Sequence, residues 1–366
     1  MNEPTSRIIS LLHDVRSAAA LLPEEWTTII ATARATNLLG TLAHRLHEAG
    51  VRTDCGAARH LDGARQLSVR QHSSVRWEIQ CIDEALAAVK APVVLLKGAA
   101  YVAGGHRNAQ GRLFGDIDIL VPSAELGTVE SQLMLHGWTS GKLDPYDQRY
   151  YRQWMHELPP MFHLRRGSVI DVHHTILPRT GRHRPIPQAI LERATPLPGF
   201  SVLHIPCVED LLIHSITHLV HEGELNSGLR DLHDIDSLIS CHGGKAGFWS
   251  RFVEYPVQHD LSEPVGLGLD LARTYLRTRI PDEVLHALTR GKNSPPGFWR
   301  QRLIDYFGLA ISHWPDGAMP LQARIAVSVL YVRAHALRMP PSLLIPHLVR
   351  KALMRFSEPI PQTADQ

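Results

Sequence analysis

Two aspartates spaced two apart, Asp116 and Asp118, interrupt an otherwise apolar run, Asp-Ile-Asp-Ile-Leu-Val. On a strand, residues i and i+2 share a face, so both carboxylates point one way while Ile117 and Ile119 pack the other way. Like charges held this close repel, and a divalent cation between them relieves the repulsion. Upstream, Leu-Leu-Lys97-Gly98-Ala99 reads as a strand turning into a helix. A glycine there lets the backbone approach phosphates, and free N–H groups at the helix start hold them. Downstream, Val-Ile-Asp171-Val-His173 places a third carboxylate inside another strand, with His173 on the same face. Lys97 and Arg112 are suited to phosphate by charge. These types and spacings predict an enzyme that uses Mg²⁺ or Mn²⁺ on a nucleotide.

The elements that must carry these residues follow from hydrophobic periodicity. Residues 7 to 90 read as helical, the last helix running from Leu67 to Lys90 with Val75, Ile79, Ile82, Leu86 and Val89 inward. Pro92 stops it, and 93–96 reads as a buried strand. Phe114 to Val121 is the second strand, closed by Pro122. Ser123 is placed to cap a helix that runs to His136 and ends at Gly137. Ser168 to His173 is a further strand. The stretch 178–199 is rich in Pro, Arg and Thr and reads as a linker or surface excursion. From Val208 to Phe356 the pattern is helical again. The predicted fold class is therefore α/β (α+β), a small mixed-sheet core flanked by helices. The regions are 1–90, 91–205 and 206–357, with a polar, Pro-containing, disordered tail at 358–366.

The 366 residues carry a formal net charge of +2, too near neutral for tracking a long nucleic acid or an anionic membrane. The four cysteines form no CxxC pair, so neither a disulfide framework nor a zinc ribbon is expected. The first residues, Met-Asn-Glu-Pro-Thr-Ser-Arg, do not read as a secretory signal, and no apolar run approaches the roughly 20 residues that span a bilayer. These features predict a soluble, cytoplasmic protein that binds no membrane.

A glycine after a strand, a strand bearing Asp-x-Asp and a third acidic strand together resemble the DNA polymerase beta-like nucleotidyltransferase superfamily. The Leu-Leu-Lys97-Gly98 strand end, Arg112, the Asp-Ile-Asp-Ile-Leu-Val run, Val-Ile-Asp171-Val-His173 and Leu-Arg230-Asp231-Leu-His233-Asp234 are similar to one branch, the uncharacterised nucleotidyltransferases. The chain departs from the superfamily in having Ala99 where Ser or Gly is usual. Its third acidic residue is Asp171, where Glu is common in the branch.

The resemblance implies that Asp116, Asp118 and Asp171 are catalytic metal ligands that hold two cations, with Asp171 taking the acceptor's proton. It implies nucleotide contacts from Lys97, Gly98, Ala99, Arg112, Gly115, Arg230 and Asp234. His173 is expected to orient Asp171, touch the acceptor or serve structure alone. The donor is a nucleoside triphosphate, or a sugar nucleotide presenting the same diphosphate. The acceptor is unknown, with a modified peptide or a small molecule as the candidates. A toxin acting on protein or tRNA and a non-catalytic nucleotide-binding module stay open.

The 23 histidines supply weaker signals. His214, His218 and His221 fall at i, i+4 and i+7, a spacing that allows a metal site. Without an HExxH motif, a buried polar or cleft-lining face is the expectation. His156 and His163 flank a Pro-Pro turn and read as structural. Arg230, Asp231 and Asp234 close the nucleotide pocket or form a charged helix face.

Overall fold

The structure is a computed structural model and describes residues 1–53, 55–141, 146, 150–289, 297–315 and 318–346. Four helices open the chain: α1 (Glu3–His13), α2 (Pro23–Ala35), α3 (Leu39–Glu48) and α4 (Cys55–Leu86). Local chemistry sets their starts. The Asn2 side chain accepts from the Thr5 N–H at 3.1 Å, and Glu25 accepts from the Leu22 N–H at 2.7 Å, just ahead of Pro23. The expected apolar stripe of α4 is buried at Val75, Ile79, Ile82 and Leu86. The helix starts earlier than its periodicity predicts and ends before Val89.

The sheet follows: β1 (Val93–Leu95), β2 (Asp116–Leu120), β3 (Trp138–Ser140), β4 (Met161–His163), β5 (Val169–His173), β6 (Thr195–Pro196) and β7 (Leu203–Ile205). Their order is β3-β4-β5-β2-β1-β7-β6. β2 runs parallel to β5 and antiparallel to β1, so the sheet is mixed, as predicted. Between strands lie α5 (Lys97–Ala103), α6 (Leu126–Leu135) and α7 (Gln188–Arg193). The C-terminal part is helical: α8 (Val208–His221), α9 (Gly228–His242), α10 (Phe248–Gln258), α11 (Ser262–Leu276), α12 (Asp282–Thr289), α13 (Gly297–Ala310) and α14 (Leu321–Arg338). One continuous buried apolar cluster runs from Ile8 through the sheet to Leu330.

Three local expectations are corrected. Phe114 and Gly115 precede β2, because the Gln71 side chain takes both the N–H and the carbonyl of Phe114 in place of a strand neighbour. Ser123 opens a short 3-10 turn after Pro122 and makes no capping bond, and α6 begins at Leu126. The 178–199 stretch, read as a linker or surface excursion, carries a short helix and an edge strand of the sheet. β6 is the edge strand on β7, and Thr180 Oγ1 donates to the Arg338 carbonyl at 2.8 Å. Proline suggests a loop, yet Pro196 at a sheet edge removes no needed donor. The predicted tail at 358–366, and the helical prediction beyond residue 346, lie outside the described residues.

α4 is clamped to the sheet at two points that fix the frame of the site. Asp83 accepts from Ser201 N and Oγ, Val202 N and Leu203 N at 2.8–3.3 Å. Glu78 takes a two-pronged ion pair from Arg166, both bonds 2.8 Å, in the turn between β4 and β5. Among the described residues, no helix is long and apolar enough to cross a membrane.

Candidate metal and nucleotide site

β2 and β5 are the centre of the site because their parallel register pairs Asp118 directly with Asp171. Asp116, two residues back, shares the face. The three carboxylates each offer an oxygen, all within 4.8 Å of one another. Asp171 Oδ1 is buried with no hydrogen-bond partner. A buried acceptor left unmatched costs about 1–3 kcal/mol, which a bound cation removes. Three hard oxygen donors suit Mg²⁺ or Mn²⁺.

Asp118 is the best-partnered of the three. Lys97 Nζ donates to its Oδ1 at 2.8 Å, and His173 Nε2 meets the same oxygen at 2.9 Å. Burial pushes the Asp118 carboxyl up, but Lys97 and His173 outweigh it and hold it well below the usual carboxylate range. Burial likewise opposes charge on Lys97 and His173, and the Asp118 carboxylate more than compensates, raising both. Lys97 adopts φ +42°, a conformation rare outside glycine. Its neighbour Leu96 donates to the Asp118 carbonyl at 2.9 Å, so backbone and side chain both tie this strained turn to β2.

Asp171 has the opposite electrostatics. Burial, then Asp118 and Glu157, push it up to about 7. Asp116 is raised too, by burial and by Asp118. The cluster therefore holds one firmly ionised carboxylate beside one poised near neutrality.

Gly98 and Arg112 form a different constellation. A Cβ at Gly98 would stand 2.7 Å from Arg112 Nη1 and 2.8 Å from the Phe114 ring, so the bare Cα admits these side chains. Ala99 is buried in the first turn of α5, whereas Gly115 is exposed with open space over it. Arg112 is itself buried and its Nε donates to Asp234 Oδ2 at 2.7 Å, with Asp231 at 3.9 Å. Arg230 pairs with Asp231 at 2.7 Å, and its Nη1 points to the Leu113 carbonyl at 3.4 Å. Arg230 and Asp234 thus reach the 112–113 loop rather than the carboxylates. Arg112 Nη1 is buried without a hydrogen-bond partner, beside Gly98.

Sequence reasoning missed Glu157 and the placement of His156. The backbone from 156 to 158 runs antiparallel to the end of β5, bridging Glu157 to His173. No periodicity marks so short a pairing. His163 is structural, as expected: it accepts from the N–H groups of Arg165 and Arg166 at 3.2 Å and packs on Trp138. His214 and His221 are buried and His218 is half-buried, the expected polar face. Burial, Lys97 and His173 push His214 down to about 3, so it stays neutral. Sequence reasoning also missed Trp77. It is 64% exposed and lines, with Phe114, Gly115, Asp116, Arg166 and Ser168, a cavity of about 660 Å³ that reaches Asp116.

The family model described as uncharacterised nucleotidyltransferase matches residues 23–277, which hold the sheet and every residue of the site. No curated protein and no solved structure matches the chain.

Proposed function

We propose, from the premise that the chain belongs to the uncharacterised nucleotidyltransferase family, that it moves a nucleotidyl group from a nucleoside triphosphate to an acceptor hydroxyl or phosphate. The superfamily resemblance, the two-cation arrangement, the triphosphate donor and the peptide or small-molecule acceptor all belong to this reading. Its main support is the buried, unpartnered Asp171 Oδ1 within a three-carboxylate cluster.

Asp116, Asp118 and Asp171 would hold the divalent cation. Bound there, it supplies positive charge to the phosphate oxygens on which negative charge builds. The chain's own groups do the rest. Lys97 keeps Asp118 ionised and His173 fixes which way that carboxylate faces. The acceptor oxygen attacks the α-phosphorus, the α–β bridge breaks and pyrophosphate leaves. The acceptor's proton passes to Asp171, the carboxylate that stands directly opposite Asp118. The cavity beside Asp116 fits a nucleotide, with Gly115 leaving room for backbone approach and Trp77 offering a flat face to the base. Gly98 and Ala99 are the phosphate contacts in this reading, while Arg112, Arg230 and Asp234 tie α9 to the loop before β2.

The test is product mass. Purified protein is incubated with Mg²⁺ or Mn²⁺, each nucleoside triphosphate and a cell extract, with Asp116→Ala/Asp118→Ala as control. Carboxylate-dependent pyrophosphate release with an added nucleotidyl mass supports the reading. Release of a sugar adduct without pyrophosphate, or no turnover with any donor, overturns it.

A further inference from the structure

Beside the three aspartates stands a second group of ligand-bearing side chains with different chemistry. His156, Glu157 and His173 each offer one atom, all within 4.8 Å of one another. Glu157 Oε2 lies 3.5 Å from His173 Nδ1 and 3.6 Å from His156 Nε2. Both distances are too long for a hydrogen bond. They match the ligand-to-ligand edge of about 3.4 Å in a tetrahedron built on metal–nitrogen and metal–oxygen bonds of about 2.1 Å. The two imidazoles face each other across the gap, ring centroids 5.1 Å apart and planes tilted by 34°.

Two further observations point to a ligand. His173 is 1% exposed, and its Nδ1, the nitrogen that faces Glu157, has no hydrogen-bond partner. His173 also carries the support that metal-bound histidines have. Its other nitrogen, Nε2, is held by the Asp118 carboxylate at 2.9 Å, which orients the ring and presents Nδ1 to the gap. The backbone is fixed: the Glu157–His173 bridge, His174 N on the His156 carbonyl at 2.9 Å and Leu158 N on the Val172 carbonyl at 2.8 Å hold the segment to β5. The cations nearby are already engaged, Lys97 with Asp118 and Arg338 with Glu222 at 3.3 Å.

The geometry points to a second metal site, formed by His156, Glu157 and His173, that takes a first-row transition dication of the Zn²⁺ type and is linked to the aspartate site through the His173–Asp118 hydrogen bond. Two imidazoles and one carboxylate favour Zn²⁺ or Co²⁺ over Mg²⁺, which prefers oxygen and retains its water. Three protein ligands leave a fourth position for water or substrate. The site does not depend on the transfer reading, since none of its ligands belongs to the aspartate cluster.

The experiment uses the full chain and Co²⁺ or Zn²⁺ alone. Wild-type protein is titrated with Co²⁺ in the presence of millimolar Mg²⁺, and visible absorption is followed. One equivalent should bind with the intense bands of a four- or five-coordinate site. The bands should persist in Asp116→Asn/Asp171→Asn, while Co²⁺ affinity should fall by about 100-fold or more in His156→Ala and in Glu157→Gln. X-ray absorption of the wild-type Zn²⁺ form, which needs no variant to fold, should show two imidazoles per metal. The inference is overturned by an absence of tight Co²⁺ binding, by bands that follow the aspartates rather than His156 and Glu157, or by a Zn²⁺ shell of oxygen alone.

Discussion

Two buried charged clusters flank the start of α5, and they are finished to different degrees. In one, Arg112 and Arg230 face Asp231 and Asp234, two guanidinium groups against two carboxylates, closed by bonds of 2.7 Å. In the other, Asp116, Asp118 and Asp171 face Lys97 as the only lysine or arginine paired with them among the described residues, and one Asp171 oxygen has no partner. A balanced cluster has nothing left to bind and serves to join α9 to the loop before β2. An unbalanced one is stable when something positive joins it. The contrast separates a structural tie from a ligand site without reference to which residues look catalytic.

Breaking the balanced cluster should give the largest effect, on stability. Asp234→Ala leaves Arg112 buried without its charge partner, which costs about 3–5 kcal/mol. Thermal melting should fall by several degrees, while the folded protein keeps its divalent-cation affinity. Asp118→Asn attacks the other cluster. It strands Lys97 and removes a cation ligand, and nucleotidyl transfer should fall by about 10²–10³-fold in kcat with a smaller loss of stability. Comparable losses of transfer from Asp234→Ala at temperatures where it is fully folded would erase the distinction.

The third prediction concerns pH. Asp171 is pushed up to about 7 from an ordinary value of 3.8, so the folded state holds a proton that the unfolded state has released. Its contribution to stability is present below pH 4 and lost as pH rises through 7. In a chelator, the wild type should therefore lose more stability between pH 5 and 8 than Asp171→Asn does. Adding Mg²⁺ should remove the difference, because the cation replaces the proton. The smallest effect is expected at Trp77. Loss of its exposed ring in Trp77→Ala should raise the KM for the nucleotide about tenfold and leave kcat nearly unchanged, reflecting one lost stacking contact.

Much of this was legible in the sequence because it rests on local patterns. The two-residue spacing of Asp116 and Asp118 gave a shared strand face, and the apolar bracket around Asp171 gave a neighbouring strand. The structure adds the register that sets Asp118 opposite Asp171. Partner choice was not legible. Lys97 and Arg112 were both expected on phosphate by charge alone, yet Lys97 turns back onto Asp118 and Arg112 lies on Asp234, 122 positions away in the chain. The 178–199 stretch looked like a linker because β6 is two residues long and contains proline. His156 read as structural beside the Pro-Pro turn and Glu157 carried no signal, since only the return of the chain along β5 brings them to His173.

The most direct test of the central claim is the binding of a nucleoside triphosphate with an uncleavable α–β bridge, measured calorimetrically with and without Mg²⁺. The unbalanced cluster predicts Mg²⁺-dependent binding to the wild type, its loss in Asp116→Asn/Asp171→Asn, and its retention in folded Asp234→Ala. Binding that ignores Mg²⁺, or that survives the aspartate substitutions, would contradict the account.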